Sequence, residues 1–215
     1  PYKLKRETLD TKQRQTMDFT NKHTVRVTSY LLFLLAATQA LYTLLRMAGI
    51  DFPRQLFWGT ESILFTFLMA FAGAAMVRAK HYHVGWSAIA FSAALNLVQV
   101  SVGLTLFTPF REAAGQNESI GPLAGAVVAL SFMIYYAAKL LLGFAALIFG
   151  IAKMKDGAKP LGGLTALVGV VAILANGILI VFGRNAFLPS AVAGGFGVLA
   201  TLLLAFCLIR VASED

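Results

Sequence analysis

Charge is scarce in this chain. Only 13% of its 215 residues are Asp, Glu, Lys or Arg, about half the share usual in a water-soluble domain. Cysteine is scarcer still. The one thiol, Cys207, excludes a disulfide within the chain and a zinc site built from several thiolates, and it reads as a small hydrophobe. Three histidines are present, His23, His81 and His83. All fall at the edges of apolar segments, which argues against a haem held by axial histidines from span interiors. His81-Tyr82-His83 has no carboxylate or thiol nearby, so no metal site is expected there. The sequence also has no Gly-x-Ser-x-Gly elbow, no His-Glu-x-x-His, no P-loop and no paired aspartates. No cofactor is expected on these grounds, and no enzyme activity is indicated.

What the chain has in excess is apolar surface, with 58% hydrophobic residues and a mean hydropathy of +0.75. Soluble domains carry about 45–50% apolar residues. The excess excludes an ordinary water-soluble fold, a disordered chain and a nucleic-acid-binding domain. A membrane-crossing helix needs about 20 mostly apolar residues. Six stretches qualify, at 27–50, 56–77, 84–107, 121–151, 161–183 and 187–209. The expected fold is therefore all-α, a polytopic integral membrane bundle of six transmembrane helices. A basic tail occupies 1–26, the bundle 27–211 and a short end 212–215. Too few residues remain for a separate soluble catalytic domain. The first apolar run exceeds the usual 7–15 residues of a signal-peptide core and lacks a small-x-small cleavage site, so it reads as a retained span.

Lysine and arginine set the expected orientation, because they accumulate in cytoplasmic loops. The tail carries seven, Arg78 and Lys80 follow span two, Lys153, Lys155 and Lys159 follow span four, and Arg210 ends span six. Those thirteen oppose four on the other side, Arg46, Arg54, Arg111 and Arg184. Both termini are thus expected in the cytoplasm, and the expected setting is a bacterial cytoplasmic (inner) membrane. The net charge of +8 follows from this asymmetry and from attraction to anionic headgroups. The chain shows no groove-reading helix or stacking motif, so no nucleic-acid partner is expected.

Several boundaries are marked. Trp58 and Trp86 are expected at headgroup depth. Pro109, Pro122, Pro160 and Pro189 are expected at helix ends, where a missing N–H costs little. The longest connection is read as 108–120, with a polar tip at Asn117-Glu118-Ser119. Span four, at about 46 Å, exceeds a hydrocarbon core of about 30 Å. It should tilt, or its last turns near Phe149 and Ile151 should project.

The candidate chemistry lies in polar groups at hydrocarbon depth, which are expensive there. Lys139 is the deepest cation. Tyr135 and Tyr136, four and three positions earlier, share its helix face. Glu61 is the acidic residue inside a span, and depth counting separates it from Lys139 by about 13 Å, so pairing requires a tilt or a register shift. Asn96 and Gln99 lie on one face of span three. With Asn176 and Gln39 they form a loose belt that serves either as interhelical glue, at about 0.6 kcal/mol per bond, or as the wall of a polar cavity opening outward. The candidate ligand-binding set is accordingly Lys139, Tyr135, Tyr136, Glu61, Asn96, Gln99 and Asn176.

Small residues allow close helix approach at Ala36/Ala40, Ala72-Gly73-Ala74-Ala75, Gly143/Gly150 and Gly194-Gly195-x-Gly197. Three functional readings follow. The first is a non-enzymatic subunit or accessory component of a larger membrane complex, contacting lipid and a protein partner or a second copy through these small-residue faces. The alternative is a small-solute or lipid transporter or binding subunit with a polar cavity around Lys139. The third is an intramembrane lipid-modifying enzyme.

Overall fold

The structure, a computed structural model, describes residues 2–183 and 187–214, with side chains for 22–183 and 187–209. Arg184, the Arg210 side chain and the basic side chains of the tail before Lys22, all used in the charge count, lie outside the described set. The chain forms six helices: α1 (Tyr2–Met47), α2 (Arg54–Arg78), α3 (His83–Gln116), α4 (Gly121–Lys155), α5 (Lys159–Phe182) and α6 (Ser190–Glu214). A 3₁₀ turn at Glu118–Ile120 joins α3 to α4, and no strand occurs among the described residues. Each helix contains a stretch long and apolar enough to cross a membrane. This is the expected all-α bundle of six spans, with the make-up of an integral membrane protein.

Consecutive helices pack side by side into a ring, which α6 closes against α1, and α4 also touches α6. The tightest pair is α4 with α5. Gly150 faces Gly162 and Ala166, and a Cβ on it would fall 2.6 Å from the Ala166 nitrogen and 2.7 Å from the Gly162 oxygen. Gly143 meets Gly169 in the same way, with 2.9 Å to the Gly169 oxygen. The two backbones approach this closely only because side chains are absent at those positions. α1 and α6 pack through the halves nearest the chain ends. The Ser29 hydroxyl donates to the Ala205 carbonyl at 2.7 Å, and Phe33 meets Phe206 edge-on at 4.7 Å. An even number of crossings puts both chain ends at one end of the bundle and the α1–α2, α3–α4 and α5–α6 connections at the other.

One sequence-based expectation needs correction, and two others gain detail. First, α3 does not stop at Phe107. It runs through Pro109 to Gln116, so the expected loop shrinks to Asn117 and the 3₁₀ turn. Arg111-Glu112-Ala113-Ala114 are good helix formers, and near an exposed end the carbonyl orphaned by proline can be solvated. The turn itself is set by Asn117, whose Oδ1 accepts from the Ser119 N–H at 3.0 Å and the Ser119 hydroxyl at 2.8 Å.

Second, the last turns of α4 are packed against neighbouring helices. Phe149 packs on Trp86 at 5.1 Å and Gly150 on α5. The antiparallel register of Gly143 with Gly169 and Gly150 with Gly162 brings the end of α5, Phe182, opposite Leu130. The first turns of α4, residues 121–129, therefore extend past α5 by about 14 Å. They are largely exposed. Third, the Trp86 ring points into the bundle. It is buried, 5% exposed, between α3 and α4.

Candidate ligand-binding cleft

The chemistry-bearing residues gather at the connection end of the bundle. Lys139 anchors them from below. Its side chain is fully buried, so it faces the bundle interior. Side chains on a helix lean toward its N-terminus, which for α4 means toward the connection end. The Lys139 stem accordingly rises past Tyr135, with Nζ 5.4 Å from the centre of that ring. The ammonium donates to Gln39 Oε1 at 2.5 Å. α1 and α4 are not neighbours in the ring, so this bond crosses its interior. Space for the stem comes from α6. A Cβ on Gly197 would lie 2.8 Å from Lys139 Cδ and 3.0 Å from Cγ, and one on Gly194 would lie 3.1 Å from the Tyr135 hydroxyl oxygen. Two glycines three apart on α6 thus receive two side chains four apart on α4.

Glu61 enters from α2 and is 6% exposed. The Thr38 hydroxyl of α1 lies beside it, and Lys139 is within electrostatic reach. Glu61 and Lys139 form no direct ion pair; the lysine ammonium goes to Gln39. Above Lys139 opens a cleft of about 500 Å³. Gln39, Glu61, Gln99, Tyr135 and Ser190 supply its polar lining, and Leu44, Val198, Leu199 and Leu202 its apolar side. Tyr42 and Trp58 border the mouth, their ring centres 6.0 Å apart. Trp58 sits against α3 where Gly103 leaves room, since a Cβ there would come within 2.8 Å of two of its ring carbons. Arg54 stacks over the indole at 5.0 Å.

Protein-family models, curated proteins and solved structures offer no match to the chain. The cleft must therefore be read from its own residues. Of the seven candidates named from sequence, Glu61, Gln99 and Tyr135 line it, and Lys139 lies behind the lining, bonded to Gln39 of the lining. The other three lie elsewhere. Tyr136 turns away, and its hydroxyl donates to Ser190 Oγ at 2.8 Å, behind the cleft wall. Asn176 ties α5 to α6, donating to the carbonyls of Ala172 and Ala193 at 2.8 and 3.3 Å. Asn96 bonds within α3 to the Ser92 carbonyl at 3.0 Å, while Ser92 itself donates to the Ala138 carbonyl at 2.8 Å. Asn176 thus joins two helices directly, whereas at Asn96 the bond between helices is made by Ser92.

Residues that sequence reasoning did not assign to the site are Gln39 as the lysine's acceptor, Ser190, Tyr42, and the α6 glycines that seat Lys139 and Tyr135. Gln39 and the glycines carried a signal, since the first is a mid-depth amide and the second a paired small-residue face. Tyr42 and Ser190 carried none beyond polarity near a helix end. Chemically, the lining offers one carboxylate, two amides, hydroxyls and aromatic faces. No group of three His, Cys, Asp or Glu side chains able to hold a metal occurs among the described residues.

Proposed function

We propose that this protein is a membrane-embedded binding component for a small ligand with a polar head and an apolar body. The observation that carries this reading is the cleft. A space of about 500 Å³, within the range of small-molecule sites, has polar groups converging at its base and an aliphatic wall beside them. A buried lysine and a buried glutamate in a span are expensive to insert, and such residues usually mark a pathway or a site. Their association with the same cleft supports a binding role over a purely structural one. The subunit reading rested on small-residue faces. Those of α4 and α5, Gly194 and Gly197 of α6, and Ala36, Ala72 and Ala75 are occupied inside the chain, while Gly73 and Gly195 stay open. The basic asymmetry of thirteen to four supports both chain ends in the cytoplasm of a bacterial cell, with the cleft opening on the opposite side of the membrane.

The test is ligand retention. Protein extracted from its native membranes in mild detergent and examined by native mass spectrometry should carry a discrete small-molecule mass. The same mass should be lost from Tyr135→Leu, which removes a polar group from the cleft, and kept by Asn176→Leu, which lies outside it. Retention that ignores both substitutions would contradict the cleft as the site.

A further inference from the structure

The cleft lining is lopsided in two ways. The first asymmetry is electrical. Glu61 is the one acidic or basic side chain among the residues that line the cleft. Two cations lie close by: Lys139, wholly buried behind the lining with its ammonium on Gln39 Oε1 and over the Tyr135 ring, and Arg54, which lies 5.0 Å over the Trp58 ring and leaves Tyr42 as the ring with no such cation described. Rings from three helices, Tyr42, Trp58 and Tyr135, border the same space. A carboxylate among aromatic faces attracts an ammonium group through both its charge and the ring quadrupoles.

The second asymmetry is in access. α1 and α6 are adjacent in the ring, in contact near the chain ends, and toward the other end both line the cleft. The aliphatic wall lies on these two helices. Leu44 is 62% exposed and Leu199 40% exposed, and a Cβ on Gly195 would meet nothing within 4 Å. For apolar helices of spanning length, the medium outside is lipid. From Ala191 to Leu202 the slot extends about 16 Å along α6. The polar end is inside the bundle and the apolar side faces the bilayer.

We propose that the cleft takes an amphiphile with a positively charged amine head and a single apolar chain, admitted sideways from the bilayer between α1 and α6. This ligand class rests on the binding role assigned to the cleft. The head rests against Glu61 and the aromatic rings, and the chain lies along Val198, Leu199 and Leu202. An anionic head would meet the Glu61 carboxylate. A chainless cation would leave the aliphatic wall uncovered.

The test uses the full chain in lipid nanodiscs with Trp86→Phe, so that Trp58 at the cleft mouth is the remaining indole. Dodecyltrimethylammonium, dodecyl sulfate, dodecanol and tetramethylammonium are titrated separately while Trp58 fluorescence is followed. Saturation by dodecyltrimethylammonium at a concentration at least tenfold below that of any other probe is expected. Glu61→Gln should erase that preference, and Gly195→Leu, which fills the slot, should remove the saturable response. Equal or tighter binding of the sulfate or the alcohol overturns the amine assignment while leaving the cleft as a ligand site. If Glu61→Gln does not fold, the four probes on the chain that retains Glu61 decide this point alone. An unchanged response in Gly195→Leu overturns the sideways path. A complete absence of saturable binding by all four probes overturns the binding role itself.

Discussion

Lys139 shows how one residue can organise the centre of a membrane bundle. Placing an ammonium at bilayer depth costs about 2.5–3.5 kcal/mol on insertion scales, and a hydrogen bond to a charged group returns about 1.5–3 kcal/mol. The bond to Gln39 therefore offsets much of that cost. Gln39→Leu should destabilise the protein by about 1.5–3 kcal/mol, whereas adding Lys139→Met in the same chain should recover most of the loss. A double-mutant cycle on unfolding free energies measures this, and a coupling near zero would show that the contact carries no weight. The sequence made Lys139 and Tyr135 legible as a pair, because a spacing of four fixes a shared helix face. It could not identify Gln39 as the partner. Periodicity says which residues share a face but not which helices face each other across a ring.

At the scale of the helix, the glycines decide which pairs come closest. Gly150 and Gly162 meet backbone to backbone, so no side chain there can rotate out of the way. Gly150→Leu should cost at least the upper end of the 1–3 kcal/mol typical of overpacking, about 3 kcal/mol. Gly163, one residue from Gly162, has only the Met154 sulfur within reach, at 3.6 Å from a built Cβ. Gly163→Leu should change stability by about 0.5 kcal/mol or less. Comparable losses from both, in thermal unfolding of the detergent-solubilised protein, would contradict the α4–α5 register. Helix number and the inner boundaries were readable from apolar run length. The end of α3 was not, since it passes through Pro109 into the helix-forming run Arg111-Glu112-Ala113-Ala114. Which end of α4 overhangs depends on its register with α5, a relation between two segments that neither segment's pattern contains.

For the whole molecule, six antiparallel crossings place the α1–α2, α3–α4 and α5–α6 connections at the face opposite the chain ends, and the proposed orientation, which rests on the lysine and arginine asymmetry, has a direct test. In a Cys207→Ser background, Gly115→Cys should react with an impermeant thiol reagent applied to intact cells, and Asp156→Cys should react only after lysis. The reverse pattern would invert the membrane orientation and turn the cleft toward the cytoplasm. The glycine and tyrosine positions that shape the cleft acquire meaning only once six helices close into a ring, because α1, α2, α3, α4 and α6 all contribute to it.

The most direct measurement is a density map of the protein in nanodiscs made with lipid from its own membranes. The expected result is an elongated non-protein density between α1 and α6, with its compact end near Glu61 and Tyr135 and the Lys139 ammonium on Gln39 beneath it. A map in which Leu44 closes onto Leu199 and Leu202, leaving the cleft collapsed and empty, would contradict a ligand site at this position.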